Sequence, residues 1–169
     1  MRCRTAACFD RSVSRTQKFL RYWLPVLIWM AVIFSASADP KSGPTSSRLI
    51  APFVRFFIPD ISLEHLDQVV FIVRKGAHVT EYAMLSWLLA RALTKPATPA
   101  GAWTRKAAFT AWVIAALYST TDEFHQSMVP NRDARWSDVI IDATGAALGV
   151  AGFFWYGRFR GYWAAQRVK

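Results

Sequence analysis

Long apolar runs separated by blocks of charge constrain this chain more than any other feature of its sequence. Few charges interrupt the runs, which occupy residues 22–38, 76–93, 107–121 and 139–156. A soluble helical domain would instead carry charges along every helix. Runs of this length fit membrane-spanning helices, and they lack the alternation of polar and apolar residues that is typical of a strand. The sequence therefore predicts an all-α fold, a bundle of four transmembrane helices.

The basic residues predict how that bundle is oriented. Fourteen of the 21 lysines and arginines fall before the first run, between the end of the second run (from Arg91 onwards) and the third, or after the fourth, together with only one of the 11 acidic residues. Because cytoplasmic segments are enriched in Lys and Arg, both termini of this multi-pass cell-membrane protein are expected in the cytoplasm. The chain then divides into a basic leader (1–21), one membrane domain (22–157) and a basic tail (158–169).

Other interpretations of the composition fit the pattern less well. A net charge of +10 suits a nucleic-acid-binding domain only where the charge forms a stripe on a soluble surface, which the apolar runs argue against. Cys3 and Cys8 lie in the leader at no recognisable metal-binding spacing, and no disulfide framework is expected from them. The first run and the small residues 35–38 also resemble a cleavable signal peptide. Cleavage would leave three spans with the same outer face.

The outer connection, residues 39–75, is long enough to contain structure of its own. Residues 46–59 (SSRLIAPFVRFFIP) place apolar side chains along one side, which predicts a short helix in the membrane interface that Pro52 would break or kink. Ser62 is predicted to cap the helix that leads into the second span. In the fourth run, Gly145 and Gly149 are four residues apart, a spacing that permits close packing within the bundle or between two copies of the chain.

Polar and ionisable residues gather near the outer ends of the predicted spans. A charged side chain at the centre of a spanning helix costs about 2.5–3.5 kcal/mol, so such residues normally face the bundle interior and find partners. Residues three or four apart share a helix face. The residues expected to converge at one depth are Lys75, His78, Glu81, Tyr82, Asp122, Glu123, Gln126, Arg132, Asp138 and Asp142.

This set of residues suits chemistry as well as structure. The candidates for catalysis are His78, Glu81, Asp122 and Glu123. The candidates for substrate binding are Lys75, Tyr82, Gln126, Arg132, Asp138 and Asp142. His78 beside Glu81 can serve as a general base oriented by a carboxylate, and Arg132 with Arg135 can clamp a phosphate or carboxylate. A purely structural network that pins the helix ends together is the alternative.

Three further residue types carry weaker signals. Histidine and carboxylate side chains in this set could ligate a divalent metal, but no His-Glu-x-x-His pair is present and no metal ligand is assigned. Ser35 and Ser37 lack the glycine-flanked turn of a serine nucleophile, so hydrogen bonding at the end of the first span is expected of them. His125 is expected to be solvated.

The order and spacing of these residues resemble the VanZ-like family of bacterial integral membrane proteins. The resemblance runs from the first span to the fourth and rests on Lys75-x-x-His78-x-x-Glu81-Tyr82-x-x-Leu85, on Asp122-Glu123-x-x-Gln126-x-x-x-Pro130-x-Arg132, and on Asp138 followed by Gly145 and Gly149. The chain departs from the family pattern at Ser35-Ala36-Ser37, where adjacent serines followed by Gln are expected, and at Asp142, where Asn is common. The founding member is associated with resistance to the glycopeptide teicoplanin.

The residues and the resemblance together predict a cell-envelope protein whose polar pocket in the outer leaflet binds a lipid-linked or cell-wall-precursor headgroup. The acids and His78 would hydrolyse or transfer that group, with an effect on glycopeptide resistance. A non-enzymatic binding protein and a small transporter are the alternatives, although no inverted repeat supports the transporter. The lipid bilayer and a lipid-linked phosphate or cell-wall precursor are the expected partners. Nucleic acid is not expected, homo-oligomerisation stays open, and the sequence identifies no cofactor.

Overall fold

The computed structural model describes residues 14–38, 42–95, 103–129 and 135–163, and it confirms the all-α prediction. Every helix or strand assigned in these ranges is an α-helix. The five helices there are α1 (Arg15–Ser37), α2 (Ser42–Phe57), α3 (Leu63–Thr94), α4 (Arg105–Gln126) and α5 (Trp136–Phe159). Three residues that carried predictions, Cys3, Cys8 and Arg132, lie outside the described ranges.

Two of the described helices, α1 over residues 16–37 and α5 over residues 136–159, are long and apolar enough to cross a membrane. Many of their large apolar side chains are exposed, among them Leu27, Ile28, Ile140 and Leu148. Helices α3 and α4 contain the predicted second and third spans but are less apolar, because they carry most of the candidate site residues. Composition therefore supports the four-span prediction for its first and fourth segments only.

Helix α3 is the centre of the bundle because it packs against each of the other four helices. Its contact with α5 is close, since a Cβ atom at Gly145 or Gly149 would overlap the α3 backbone. At Gly149 it would also overlap the Ser86 hydroxyl, which donates a hydrogen bond to the carbonyl oxygen of Ala146 at 2.7 Å. The two glycines are thus used for packing within the bundle, one of the two uses predicted for them.

Helix α3 begins where its sequence predicts. Ser62 is the N-cap, and its hydroxyl accepts a hydrogen bond from the backbone N–H of His65 at 3.3 Å. The helix has 32 residues, which corresponds to a length of about 48 Å at roughly 1.5 Å per residue. This exceeds the roughly 30 Å of a bilayer's hydrocarbon core, so the first turns of α3 extend beyond the predicted second span.

Helix α2 has the apolar side that the sequence predicts. Leu49, Phe53, Phe56 and Phe57 are all well exposed there, and α2 packs chiefly on α3. The helix is continuous through Pro52, so of the predicted break or kink the break is wrong.

Basic and aromatic residues join the helices at one end of the bundle. The guanidinium of Arg91, near the end of α3, donates a hydrogen bond to the carbonyl oxygen of Arg21, near the start of α1, at 3.1 Å. The rings of Trp103, just before α4, and Trp163, just after α5, are 5.8 Å apart. Successive helices of the series α1, α3, α4 and α5 therefore run antiparallel. The end of α1, the end of α4 and the beginning of α5 consequently lie towards the opposite end.

Candidate functional site

A polar cavity lies where α1 and α4 finish. Its volume is about 150 Å³, equivalent to about five water molecules at roughly 30 Å³ each. Four of the predicted site residues, His78, Glu81, Asp122 and Gln126, line it together. The full lining comprises Ile33, Ala36 and Ser37 from α1, Ser46 from α2, Arg74, Ala77, His78 and Glu81 from α3, and Asp122 and Gln126 from α4.

His78 is oriented by a carboxylate from α5. Its Nδ1 lies 3.4 Å from Oδ1 of Asp142, whose side chain is fully buried. The other carboxylate oxygen, Oδ2, accepts a hydrogen bond from the Ser119 hydroxyl at 2.8 Å. This series of three side chains restrains the imidazole and leaves Nε2 as the ring nitrogen that can exchange a proton. The carboxylate facing Nδ1 is therefore Asp142, whereas the sequence had placed His78 beside Glu81.

A second acid–base pair joins the same two helices. Lys75 Nζ and Asp138 Oδ1 form an ion pair. Lys75 and His78 are three residues apart on α3, and Asp138 and Asp142 are four apart on α5, so each helix presents its two partners from neighbouring turns of one face. Neither Lys75 nor Asp138 lines the polar cavity. The structure thus shows these two predicted binding residues paired with each other.

Several buried oxygens have no hydrogen-bond partner among the described residues. They include Ser37 Oγ, Asp122 Oδ1 and the Tyr82 hydroxyl oxygen. Asp122 is held through its second oxygen, Oδ2, which accepts a hydrogen bond from Gln126 Nε2 at 3.0 Å. A buried polar atom without a partner costs about 1–3 kcal/mol. Ser37 and Asp122 also line the cavity, whereas Tyr82 is fully buried and acts on Asp122 from behind the cavity wall.

Glu123 lies outside the wall of the polar cavity. It belongs to a second opening of about 460 Å³, here called the α4–α5 groove, which is lined by Thr120, Thr121, Glu123, Phe124, Ser127, Arg135 and Trp136. Its Oε2 accepts a hydrogen bond from the backbone N–H of Arg135 at 3.0 Å. Burial raises the pKa of the Glu123 carboxyl above its ordinary value, although this hydrogen bond opposes the change. Glu123 therefore does not line the cavity that the other three predicted catalytic residues share.

Sequence reasoning did not assign three residues of the site, Arg74, Ser37 and Ser119, to it. Arg74 lies four residues before His78, so helical spacing alone could have placed both on one face. The positions of Ser37 and Ser119 depend on how α1 and α4 are rotated against their neighbours, which a single sequence does not reveal.

Two other predictions concern histidine and metal. His125, expected to be solvated, is half-buried, and its ring stacks on Phe34 with centroids 4.5 Å apart. In the described ranges, no group of three or more His, Cys, Asp or Glu side chains is arranged to hold a metal ion.

Comparison with known proteins places the chain in a family. A family model described as VanZ/LLP1 matches residues 22–157. The matched region contains all the residues that line the polar cavity and the Ser119, Asp142, Lys75 and Asp138 side chains around it. No curated protein and no solved structure matches the chain.

Proposed function

Because the chain belongs to the VanZ/LLP1 family, we propose that it is an integral membrane protein of the bacterial cell envelope whose polar cavity binds the phosphate-bearing headgroup of a lipid-linked precursor. One observation carries the proposal: the cavity brings together a guanidinium, an imidazole and two carboxylates from Arg74, His78, Glu81 and Asp122. Charged groups are costly in a membrane, and they are usually functional where they meet around a cavity.

In the proposed topology, α1, α3, α4 and α5 each cross the bilayer once and α2 lies in the outer interface. The antiparallel order of these helices and the contact between Arg21 and Arg91 at one end support this arrangement. Both termini are then cytoplasmic, in agreement with the excess of basic residues on that side. Phe53 and Phe56 of α2, both well exposed, would enter the outer leaflet. The polar cavity would consequently lie at the level of the lipid headgroups.

The polar groups of the cavity define the chemistry of its ligand. Arg74 can bind a phosphate through two parallel hydrogen bonds. The carboxylates of Glu81 and Asp122 accept hydrogen bonds, so a matching ligand also carries hydroxyl or amide donors. A cavity of about 150 Å³ accommodates a phosphate, with the rest of the ligand outside it. A phosphate ester of a sugar or polyol, attached to a lipid that remains in the leaflet, meets these requirements.

His78 would supply the proton transfer for hydrolysis or transfer of that headgroup. Its Nε2 would accept a proton from the attacking oxygen and return one to the leaving oxygen. Asp142 faces Nδ1 at 3.4 Å, so it would stabilise the imidazolium that forms between these two events. General acid–base catalysis of this kind contributes about 10²–10⁴-fold in rate.

Thermal unfolding in detergent tests the binding proposal, with a polyprenyl phosphate as the ligand. The wild type should unfold at a higher temperature with the ligand, because a ligand at 100 times its Kd stabilises the folded state by about 2.7 kcal/mol. Glu81→Gln should lose most of the ligand-induced shift. Glu64→Gln is the matched control, since Glu64 is exposed in the first turn of the same helix.

Two outcomes would redirect the proposal. If Glu81→Gln is much less stable and the ligand does not shift the wild type, the residues form a structural network and the binding proposal is wrong. If His78→Ala binds the ligand and retains full function, the protein is a non-enzymatic binder.

Because changed headgroups alter the surface on which glycopeptides act, expression of the wild type should alter teicoplanin susceptibility, and His78→Ala should abolish that change. If expression of the wild type leaves teicoplanin susceptibility unchanged, the cavity has no role in resistance.

A further inference from the structure

The hydroxyl of Ser37 differs from other hydroxyls on the same helices. Several Ser and Thr side chains donate to a carbonyl in the preceding turn, as Ser35 does to Ala31 at 2.8 Å and Thr80 does to Gly76 at 2.8 Å. Ser37 is only 4% exposed, yet its Oγ has no hydrogen-bond partner among the residues that the structure describes. It lines the polar cavity. A buried hydroxyl without a partner is costly, and a ligand in the cavity would supply the missing hydrogen bond.

Ser37 shares the cavity with a histidine that is already oriented by a buried acid. His78 lines the same cavity, and its Nδ1 faces Asp142 at 3.4 Å. A hydroxyl, an imidazole and a carboxylate are therefore contributed by α1, α3 and α5. Such a set can supply a nucleophile, its general base and an orienting acid, whatever their order along the chain. No hydrogen bond joins Ser37 Oγ to His78 among the described residues, so this contact would form when a ligand is bound. Arg74, also in the cavity wall, can stabilise negative charge on the group under attack.

We propose that Ser37 is a nucleophile that attacks the phosphorus of a lipid-linked phosphate ester, an inference that rests on the proposed function of the cavity. In the first step, Ser37 Oγ bonds to phosphorus and its proton passes to Nε2 of His78. The bond from phosphorus to the leaving oxygen breaks, and that oxygen takes the proton from His78. In the second step, water attacks the phosphorus and gives a proton to His78. Ser37 Oγ then leaves and recovers this proton.

This sequence hydrolyses one ester bond with one water molecule and requires neither an oxidant nor a reductant. An acceptor hydroxyl in place of water in the second step gives headgroup transfer instead. Asp142 and Ser119 act as positioning residues, because Asp142 faces His78, Ser119 donates a hydrogen bond to Asp142, and neither residue lines the cavity.

A fluorophosphonate probe tests the role of Ser37, because it forms a stable adduct with an activated serine. The full chain would be treated in detergent and the adduct located by mass spectrometry. Wild type should carry the adduct on Ser37, and Ser37→Ala should not. Ser35→Ala is the matched control, since Ser35 lies two residues away, is exposed, and is bonded to a carbonyl. His78→Ala should slow labelling of Ser37 at least about 100-fold.

The results separate the nucleophile from the binding function. If the wild type shows the thermal shift with polyprenyl phosphate but no adduct on Ser37, the nucleophile is refuted and the binding function stands. If neither the shift nor the adduct appears, both proposals fail. An adduct on Ser37 that forms equally fast in His78→Ala also refutes the assigned roles.

A second variant covers the case in which Ser37→Ala does not fold. Ser37→Cys, made with Cys3 and Cys8 replaced by Ser, should react with iodoacetamide, and polyprenyl phosphate should protect it. Reaction at the same rate with and without the phosphate would show that the ligand does not reach residue 37, and would overturn the proposal.

Discussion

Replacement of Gly149 by Ala tests the packing that positions His78 against Asp142. Gly149 lies on α5 where a Cβ atom would overlap the carbonyl oxygen of Ala83 and the hydroxyl of Ser86 on α3. A backbone carbonyl cannot rotate away as a flexible side chain can, so the two helices would have to separate. The same pair of helices contributes His78 and Asp142, which are 3.4 Å apart.

The expected loss of stability follows from three contributions. Forcing one methyl group into a packed interface costs about 1–3 kcal/mol. Loss of the hydrogen bond from Ser86 to Ala146, 2.7 Å long, costs about 1 kcal/mol. Alanine regains about 1 kcal/mol of helix propensity over glycine. Gly149→Ala should therefore lower the free energy of unfolding by about 1–3 kcal/mol.

Gly76→Ala is the matched control on α3. A Cβ atom at Gly76 meets nothing within 4 Å, so this variant should gain about 1 kcal/mol from helix propensity alone. Equilibrium unfolding in mixed micelles, followed by circular dichroism, should separate the two variants by roughly 2–4 kcal/mol. Equal stability of Gly149→Ala and Gly76→Ala would refute the close α3–α5 contact and the geometry that depends on it.

Two further predictions concern charge. Glu123 lies beyond the predicted third span, and burial raises the pKa of its carboxyl. The folded state therefore favours the neutral carboxyl, and the protein loses stability as pH rises through the raised pKa. Glu123→Gln should therefore be stabilised at neutral pH. It should also flatten the dependence of Tm on pH above the ordinary glutamate pKa of about 4.3. An unchanged profile would contradict the burial of this carboxyl. A green fluorescent protein fused after residue 169 should fluoresce, because the tail is proposed to be cytoplasmic. Alkaline phosphatase inserted at residues 59–60 should be active, because the connection between the first and second spans is proposed to be external. The reverse pattern would refute the topology.

The helices and the arrangement along each of them were predictable from the sequence, because both depend on local periodicity. Ser62 caps α3 as predicted. The spacing that puts His78 and Glu81 on one face of α3, and Asp122 and Gln126 on one face of α4, also holds, since all four side chains line one cavity.

The pairing between helices was less predictable, because it depends on the rotation and separation of each helix against its neighbours. Glycine contacts such as that of Gly149 with the α3 backbone set this geometry. It makes Asp142 the carboxylate that faces Nδ1 of His78, and it puts Glu123 in the α4–α5 groove. The apolar runs also predicted four spans, whereas only α1 and α5 among the described helices are long and apolar enough to cross a membrane. Helices α3 and α4 are less apolar because they carry the polar residues of the site.

Direct binding of a radiolabelled polyprenyl phosphate to Arg74→Gln tests the central claim, that the polar cavity is a site for a phosphate-bearing headgroup. Loss of a hydrogen bond to a charged group costs about 1.5–3 kcal/mol, so affinity should fall roughly 10–150-fold relative to the wild type. Arg55→Gln is the control, because Arg55 is an exposed arginine on α2 that does not line the cavity. Wild-type affinity in Arg55→Gln together with this loss in Arg74→Gln is the predicted result. Equal affinity in Arg74→Gln and the wild type would contradict the claim.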